Sequence, residues 1–134
     1  MIVVDASVVA YAVLPGEQTE AALRALEKDA EWVAPSLWRS EVRNVLATTM
    51  RLHGLALEDA LTAFGHAGRL VVDAPTPGDT RRILGLAERS RASAYDCEYV
   101  ALAESLGLTF VTGDGPLAKR FPEVAVRLAD FAPL

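Results

Sequence analysis

The chain has one cysteine, Cys97, two histidines, and no apolar run near the roughly 20 residues that span a bilayer. A single cysteine permits no internal disulfide, which fits a reducing cytoplasm. His53 and His66 stand apart from each other and from other ligand types, so no Cys/His set of the kind that holds zinc is available, and both read as surface residues. No basic leader precedes an apolar stretch, and the second residue already reads as strand, so a signal peptide is not expected. Positive charge is scarce as well: Lys+Arg number 13 against 18 Asp+Glu, a net charge of −5. Phosphate binding needs cations, so this balance argues against a nucleic-acid binder. The objection weakens if several of the acids hold divalent ions, which invert the local field. A basic protein partner also suits so acidic a chain.

What is present suffices for a core. Hydrophobic residues make up 51% and charged residues 23% of 134, the profile of one compact α/β domain over residues 1–134. Strands and helices alternate, which predicts a mainly parallel sheet covered on both faces. Strands are expected at Ile2–Val4, Trp32–Ala34, Leu70–Val72 and Thr109–Val111, with a short edge strand at Val124–Arg127. Helices are expected at Ser7–Val13, Glu17–Lys28, Ser36–Leu52, Leu57–His66 and Ala94–Leu106. A further helix reaches Arg89 from Thr76-Pro77-Gly78-Asp79, read as an N-cap, a proline at N1 and an acid at N3. Gly113-Asp114-Gly115-Pro116 reads as a turn. No linker, internal repeat or low-complexity segment appears.

Four acids, Asp5, Glu41, Asp96 and Asp114, are far apart in the chain but fall where such a fold aims them at one point. Asp5 and Asp114 follow the carboxyl ends of strands, where open parallel sheets bind ligands. The glycines flanking Asp114 let the backbone turn sharply and approach a ligand. The Ser36–Leu52 helix buries Trp38, Val42, Val45, Leu46 and Thr49, and Glu41 lies about 85° from the centre of that stripe at 100° per residue. Asn44 and Thr48 share its flank, whereas Arg39 and Arg43 lie on the other, so Arg43 is not its neutralising partner. In the later helix the stripe is Tyr95, Tyr99, Leu102, Ala103 and Leu106, with Asp96 about 75° from its centre, Glu98 on the opposite flank and Cys97 facing outward. Converging carboxylates repel one another unless a cation neutralises them. Hard oxygen donors without clustered His or Cys select Mg²⁺ or Mn²⁺, and metal-assisted phosphoryl chemistry is the leading expectation.

Each acid also has a plain structural use. Asp5 can cap the next helix, Glu41 can be a solvated helix residue, Asp96 can pair with Ser93 in a capping box, and Asp114 can serve its turn. Those uses do not explain why all four fall at one sheet edge. Trp32, Trp38, Tyr95 and Tyr99 read as core or rim packing. The basic pairs Arg81-Arg82 and Lys119-Arg120 read as solvated, although Lys119-Arg120 follows the Asp114 turn and is placed to meet phosphate.

Four segments together resemble the PIN-domain family and, within it, the VapC-type toxins of toxin–antitoxin pairs. They are Ile2-Val3-Val4-Asp5-Ala6-Ser7, Glu41-Val42-Arg43-Asn44, Ala94 to Ala103, and Val111-Thr112-Gly113-Asp114. Any one is weak; the four in this order and spacing, over essentially the whole chain, are specific. The resemblance implies a three-layer α/β/α fold and a Mg²⁺- or Mn²⁺-dependent endoribonuclease. It implies Asp5, Glu41, Asp96 and Asp114 as the acidic site, with Ser7, Asn44 and Thr112 as supporting polar residues. It further implies a VapB-like antitoxin, a homodimer and RNA as substrate, its identity left open. Glu98 departs from the small residue expected there and is not counted as a ligand. The rivals are less well served: Asp5-Ala6-Ser7 lacks the second acid of a phosphoaspartyl phosphatase, and the chain lacks the acidic pair and late lysine of a phospho-acceptor domain. A catalytically inactive PIN-like domain acting as a binding module is the remaining alternative.

Overall fold

Three short β-branched and aromatic runs form the centre of the molecule. In the computed structural model, which describes residues 1–134, these are β1 (Ile2–Val4), β2 (Trp32–Ala34) and β4 (Phe110–Thr112). All nine of their residues are buried, as expected of parallel strands covered on both faces. β3 (Val71–Asp73) and β5 (Ala125–Arg127) are the more exposed edges. The order is β3-β2-β1-β4-β5, and every pairing is parallel.

Helices α1 (Ala6–Val13), α2 (Thr19–Lys28), α3 (Leu37–His53) and α4 (Leu57–Leu70) make the two connections that run from β1 through β2 to β3. The chain then reverses direction through α5 (Thr80–Ser90) and α6 (Ala94–Leu106), and α6 packs on β1 and β4. Right-handed crossovers put helices reached in opposite directions on opposite faces, which makes three layers. α7 (Gly115–Arg120) links β4 to β5, and α8 (Leu128–Phe131) packs against α2. A single cluster of 32 buried residues runs through the layers, with Trp32, Trp38, Tyr99 and Phe110 its largest fully buried side chains.

Several boundaries differ from expectation for identifiable reasons. α4 continues through Leu70, because Ala60, Ala63 and Ala67 keep its buried stripe going past His66. Thr76-Pro77-Gly78 does not start a helix; Asp79 is itself the cap, accepting from the Arg82 N–H at 3.3 Å. The two-pronged bond from Arg82 to Glu104 sets the start of α5 beside the end of α6. Residues 74–79 therefore form a non-helical connection from the end of β3 to the start of α5. Asp114 is more than a turn residue, since its carboxylate caps α7 by accepting from the Leu117 N–H at 3.1 Å. Cys97 is fully buried rather than outward. With α5 on one side and the sheet on another, α6 buries Cys97, Val100 and Ala101 as well as Tyr99 and Ala103, while Tyr95 and Leu106 stand exposed.

Candidate active site

β1 is central, and the strand order reverses between β1 and β4, where a doubly wound sheet opens a crevice. Asp5 ends β1 and Asp114 follows β4. Glu41 comes from the second turn of α3, which starts at the same edge after β2, and Asp96 from the first turn of α6. All four acids line one cleft of about 670 Å³, together with Ser7 and Asn44. No lysine or arginine lines it. Glu98 lines a different depression, beyond α6, with Arg82 and Glu104. A fifth acid at a strand end, Asp73, is engaged elsewhere by Trp38 Nε1 at 2.7 Å and Arg39 Nε at 3.1 Å.

Asp5 is held on both oxygens. Its Oδ1 accepts from Ser7 Oγ and, at 3.2 Å, from the Val8 N–H; its Oδ2 accepts from Thr112 Oγ1. The expected cap is therefore real, and it occupies the same carboxylate that faces the cleft. Thr112, the one buried polar residue, also accepts from the Asp114 N–H at 3.0 Å and so ties the two strand-end acids together. Ser7 Oγ likewise accepts from the Gly113 N–H at 3.1 Å. Gly113 is required by this closeness rather than by a ligand: a Cβ there would lie 2.8 Å from Ser7 Oγ and 2.7 Å from the Tyr11 ring. Asp96 has its own N–H bonded to Ser93 Oγ at 3.0 Å, the anticipated capping contact, and the Ser93 side chain also stabilises its carboxylate.

Tyr99, whose pattern in the sequence indicates only packing, donates its hydroxyl to Glu41 Oε1 at 2.5 Å. The signal available was that a buried phenol needs a polar partner; its partner, 58 residues away, emerges only from the fold. Thr48 is not among the cleft's residues, and Arg43 lies over the Phe64 ring, away from Glu41.

The electrostatics follow from this geometry. Burial pushes Asp5 above the usual carboxylate range, against the pull of its Ser7, Thr112 and Val8 hydrogen bonds, and the Asp96 charge adds to the rise. Glu41 is raised first by burial, with Asp5, Asp96 and Glu98 adding repulsion and the Tyr99 hydroxyl opposing it. Asp96 is raised by burial, against the pull of the Ser93 side chain; Asp114 adds to the rise and Arg120 opposes it. Three of the four acids are thus uncomfortable as anions when nothing positive stands among them.

The donor set fits a hard divalent cation. Two donors occupy Asp5 Oδ1 and one occupies Oδ2, so a carboxylate lone pair remains for an ion. No three acids already converge into a direct cage. Mg²⁺ needs none, since it keeps several waters and binds through one or two carboxylates.

The class the fold defines is a doubly wound parallel α/β domain whose ligand site lies at the switch point, here a cleft with four acids and no lysine or arginine among its lining residues. The chain belongs to the PIN domain family, whose model matches residues 2–125. It is 35% identical over 128 residues to ribonuclease VapC3 of Pyrobaculum aerophilum, covering 90% of this chain and 95% of that one. Its fold is shared by the crystal structure of PAE2754 from Pyrobaculum aerophilum, with a TM-score of 0.77 and 20% identity over 99% of this chain and 97% of the other. It is also shared by Mycobacterium tuberculosis VapC20, described as a sarcin-ricin loop cleaving toxin, with a TM-score of 0.61 and 18% identity over 90% and 95% of the two chains.

Proposed function

We propose that this protein is a divalent-metal-dependent endoribonuclease, the toxin of a VapBC-type pair, with Asp5, Glu41, Asp96 and Asp114 as its catalytic acids. The observation that carries the reading is the cleft itself: four carboxylates at the switch point and no cation among its lining residues. Membership of the PIN domain family and the kinship with ribonuclease VapC3 support it.

Bound Mg²⁺ or Mn²⁺ would supply Lewis-acid stabilisation of the phosphoryl oxygens and a water acidified towards neutral pH. Asp5 and Asp96 would hold the ion directly, and Asp114 and Glu41 would hold it directly or through water. Ser7 and Thr112 lock the Asp5 carboxylate in its rotamer, the role of residues that orient ligands from behind. Glu41, raised by burial and fixed by Tyr99, accepts the proton of the attacking water. Asn44, exposed at the cleft wall, orients that water or the phosphate.

The antitoxin of this reading is a VapB-like protein that presents a basic side chain to the acidic mouth. A homodimer suits the exposed leucines Leu52, Leu57 and Leu61 at the α3–α4 corner, an apolar patch of the kind that marks protein contacts. No helix is long and apolar enough to cross a membrane.

The test is cleavage of a structured RNA pool by the purified protein, freed of any antitoxin, in Mg²⁺ or EDTA, beside Asp5→Ala. Cleavage that needs metal and disappears in the variant is the expected result. Metal-independent cleavage, or cleavage retained by a folded Asp5→Ala protein, sinks the assignment. No cleavage of any RNA class under either metal favours the inactive binding module.

A further inference from the structure

The ribonuclease reading leaves a physical problem: a polyanion has to approach a cleft whose charged lining residues are all acids. The connection between α5 and α6 resolves it. Arg91, at the end of α5, is the chain's only non-glycine residue with a positive φ, 64°. α3 and α6 end in the same left-handed cap with Gly54 at 69° and Gly107 at 66°. Glycine takes that conformation without steric penalty, so an arginine there is not explained by the backbone. Its side chain is exposed and makes no ion pair.

The neighbours extend the feature. Arg120, at the end of α7, donates to the Ser90 carbonyl at 2.7 Å, which brings a second guanidinium against the same connection. It is close enough to Asp96 to offset part of that acid's repulsion. Arg89 and Lys119 flank the pair, also exposed and without a carboxylate partner. A few residues on, Tyr95 lines the cleft beside Asp96 with 63% of its surface exposed, and it stacks on no other aromatic ring. Guanidinium groups take phosphate through paired N–H donors, and exposed aromatic faces stack unpaired bases.

We propose that single-stranded RNA crosses the mouth of the cleft along the α5–α6 connection, with phosphates beside the scissile one on Arg91 and Arg120 and a base stacked on Tyr95. The proposal rests on the ribonuclease reading and adds to it a direction of entry. It also reconciles an acidic chain with an RNA substrate: a few unpaired cations at one rim are enough when the acids next to them carry a metal.

The test is binding of a short random-sequence single-stranded RNA, followed by fluorescence anisotropy in Ca²⁺ over a KCl series, with cleavage in Mg²⁺ alongside. Arg91→Gly and Arg120→Gln are each expected to weaken binding about three- to tenfold and to reduce the salt slope by about one. Arg91→Lys keeps the charge and is expected to retain the wild-type salt slope, with a smaller loss of affinity than Arg91→Gly. Tyr95→Ala is expected to weaken binding at least about fivefold, whereas Tyr95→Phe keeps the stacking face and binds normally. Arg51→Ala, in the last turn of α3, is the control and leaves binding unchanged. Melting curves identify any loss caused by misfolding, and Arg91→Gly is expected to melt no lower than wild type. Wild-type affinity and slope in Arg91→Gly, Arg120→Gln and Tyr95→Ala, with wild-type protein binding and cleaving RNA, overturn the entry route alone. A wild-type protein that neither binds nor cleaves RNA overturns the route and the ribonuclease reading together.

Discussion

Glu41 illustrates how one neighbour tunes a candidate catalytic group. Burial and three other carboxylates push its pKa up, and the Tyr99 hydroxyl pulls it down by hydrogen bonding to the ionised form. Tyr99→Phe removes the pull and nothing else of size, so the pKa of Glu41 rises further. The acid limb of the pH–cleavage profile is therefore expected to move to higher pH, while the rate well above that limb changes little; an unmoved limb means Glu41 is not the proton acceptor. Asp96 makes a sharper case. Asp96→Asn keeps the shape and the capping N–H but removes a charge that burial and Asp114 make costly. Cleavage is expected to fall about 10²–10³-fold. Without metal at neutral pH the variant is expected to melt higher than wild type, a pairing of lost function with gained stability that a merely structural acid does not produce. Local sequence located these acids well, because strand ends and helix first turns can be read from short patterns. The Tyr99 contact was not legible, since its two ends are joined only when α3 and α6 meet over the sheet edge.

Among the elements, the two ends of α5 differ in how far pattern alone describes them. The Thr-Pro-Gly-Asp run has the pattern of a helix start, yet only its Asp79 serves as a cap and α5 begins at Thr80, beside the end of α6. Asp114 shows the converse: a turn motif conceals a cap, and the six residues of α7 are too short to show a helical stripe. The burial of Cys97 was missed for a related reason, as a helix covered by both sheet and neighbour has no single apolar stripe to count. At its other end α5 closes on Arg91 in the left-handed region, which for a side chain bearing a Cβ costs energy that glycine avoids. Arg91→Gly is expected to gain about 0.5–1 kcal/mol, visible as a small rise in melting temperature. A fall instead would mean that the guanidinium makes a stabilising contact on the surface, and the residue would lose its claim to be kept for a ligand.

For the molecule as a whole, the cleft makes stability depend on protons and, on the proposed function, on metal as well. Asp5, Glu41 and Asp96 titrate above their ordinary values in the fold. Between the ordinary and the raised values the folded state binds more protons than the unfolded chain, so unfolding free energy falls as pH rises through that window. Asp29, Asp73 and Asp130 are shifted the other way by their hydrogen bonds to Met1, Trp38 and Arg127, and they cost stability only as pH drops below the ordinary range. The two windows lie on opposite sides of about pH 4, so they can be separated by experiment. In EDTA the melting temperature is expected to decline from mildly acidic to neutral pH. If the cleft binds metal as proposed, saturating Mg²⁺ is expected to reverse that decline, because the ion would bind only the folded cleft and only where the carboxylates have lost their protons. At a concentration of about 100 times its Kd it adds roughly 2.7 kcal/mol. The Mg²⁺-induced rise is therefore expected to be larger at neutral pH than at mildly acidic pH, and to vanish in Asp5→Ala. A rise of equal size at both pH values, or one that survives in Asp5→Ala, would place the ion somewhere other than among these acids.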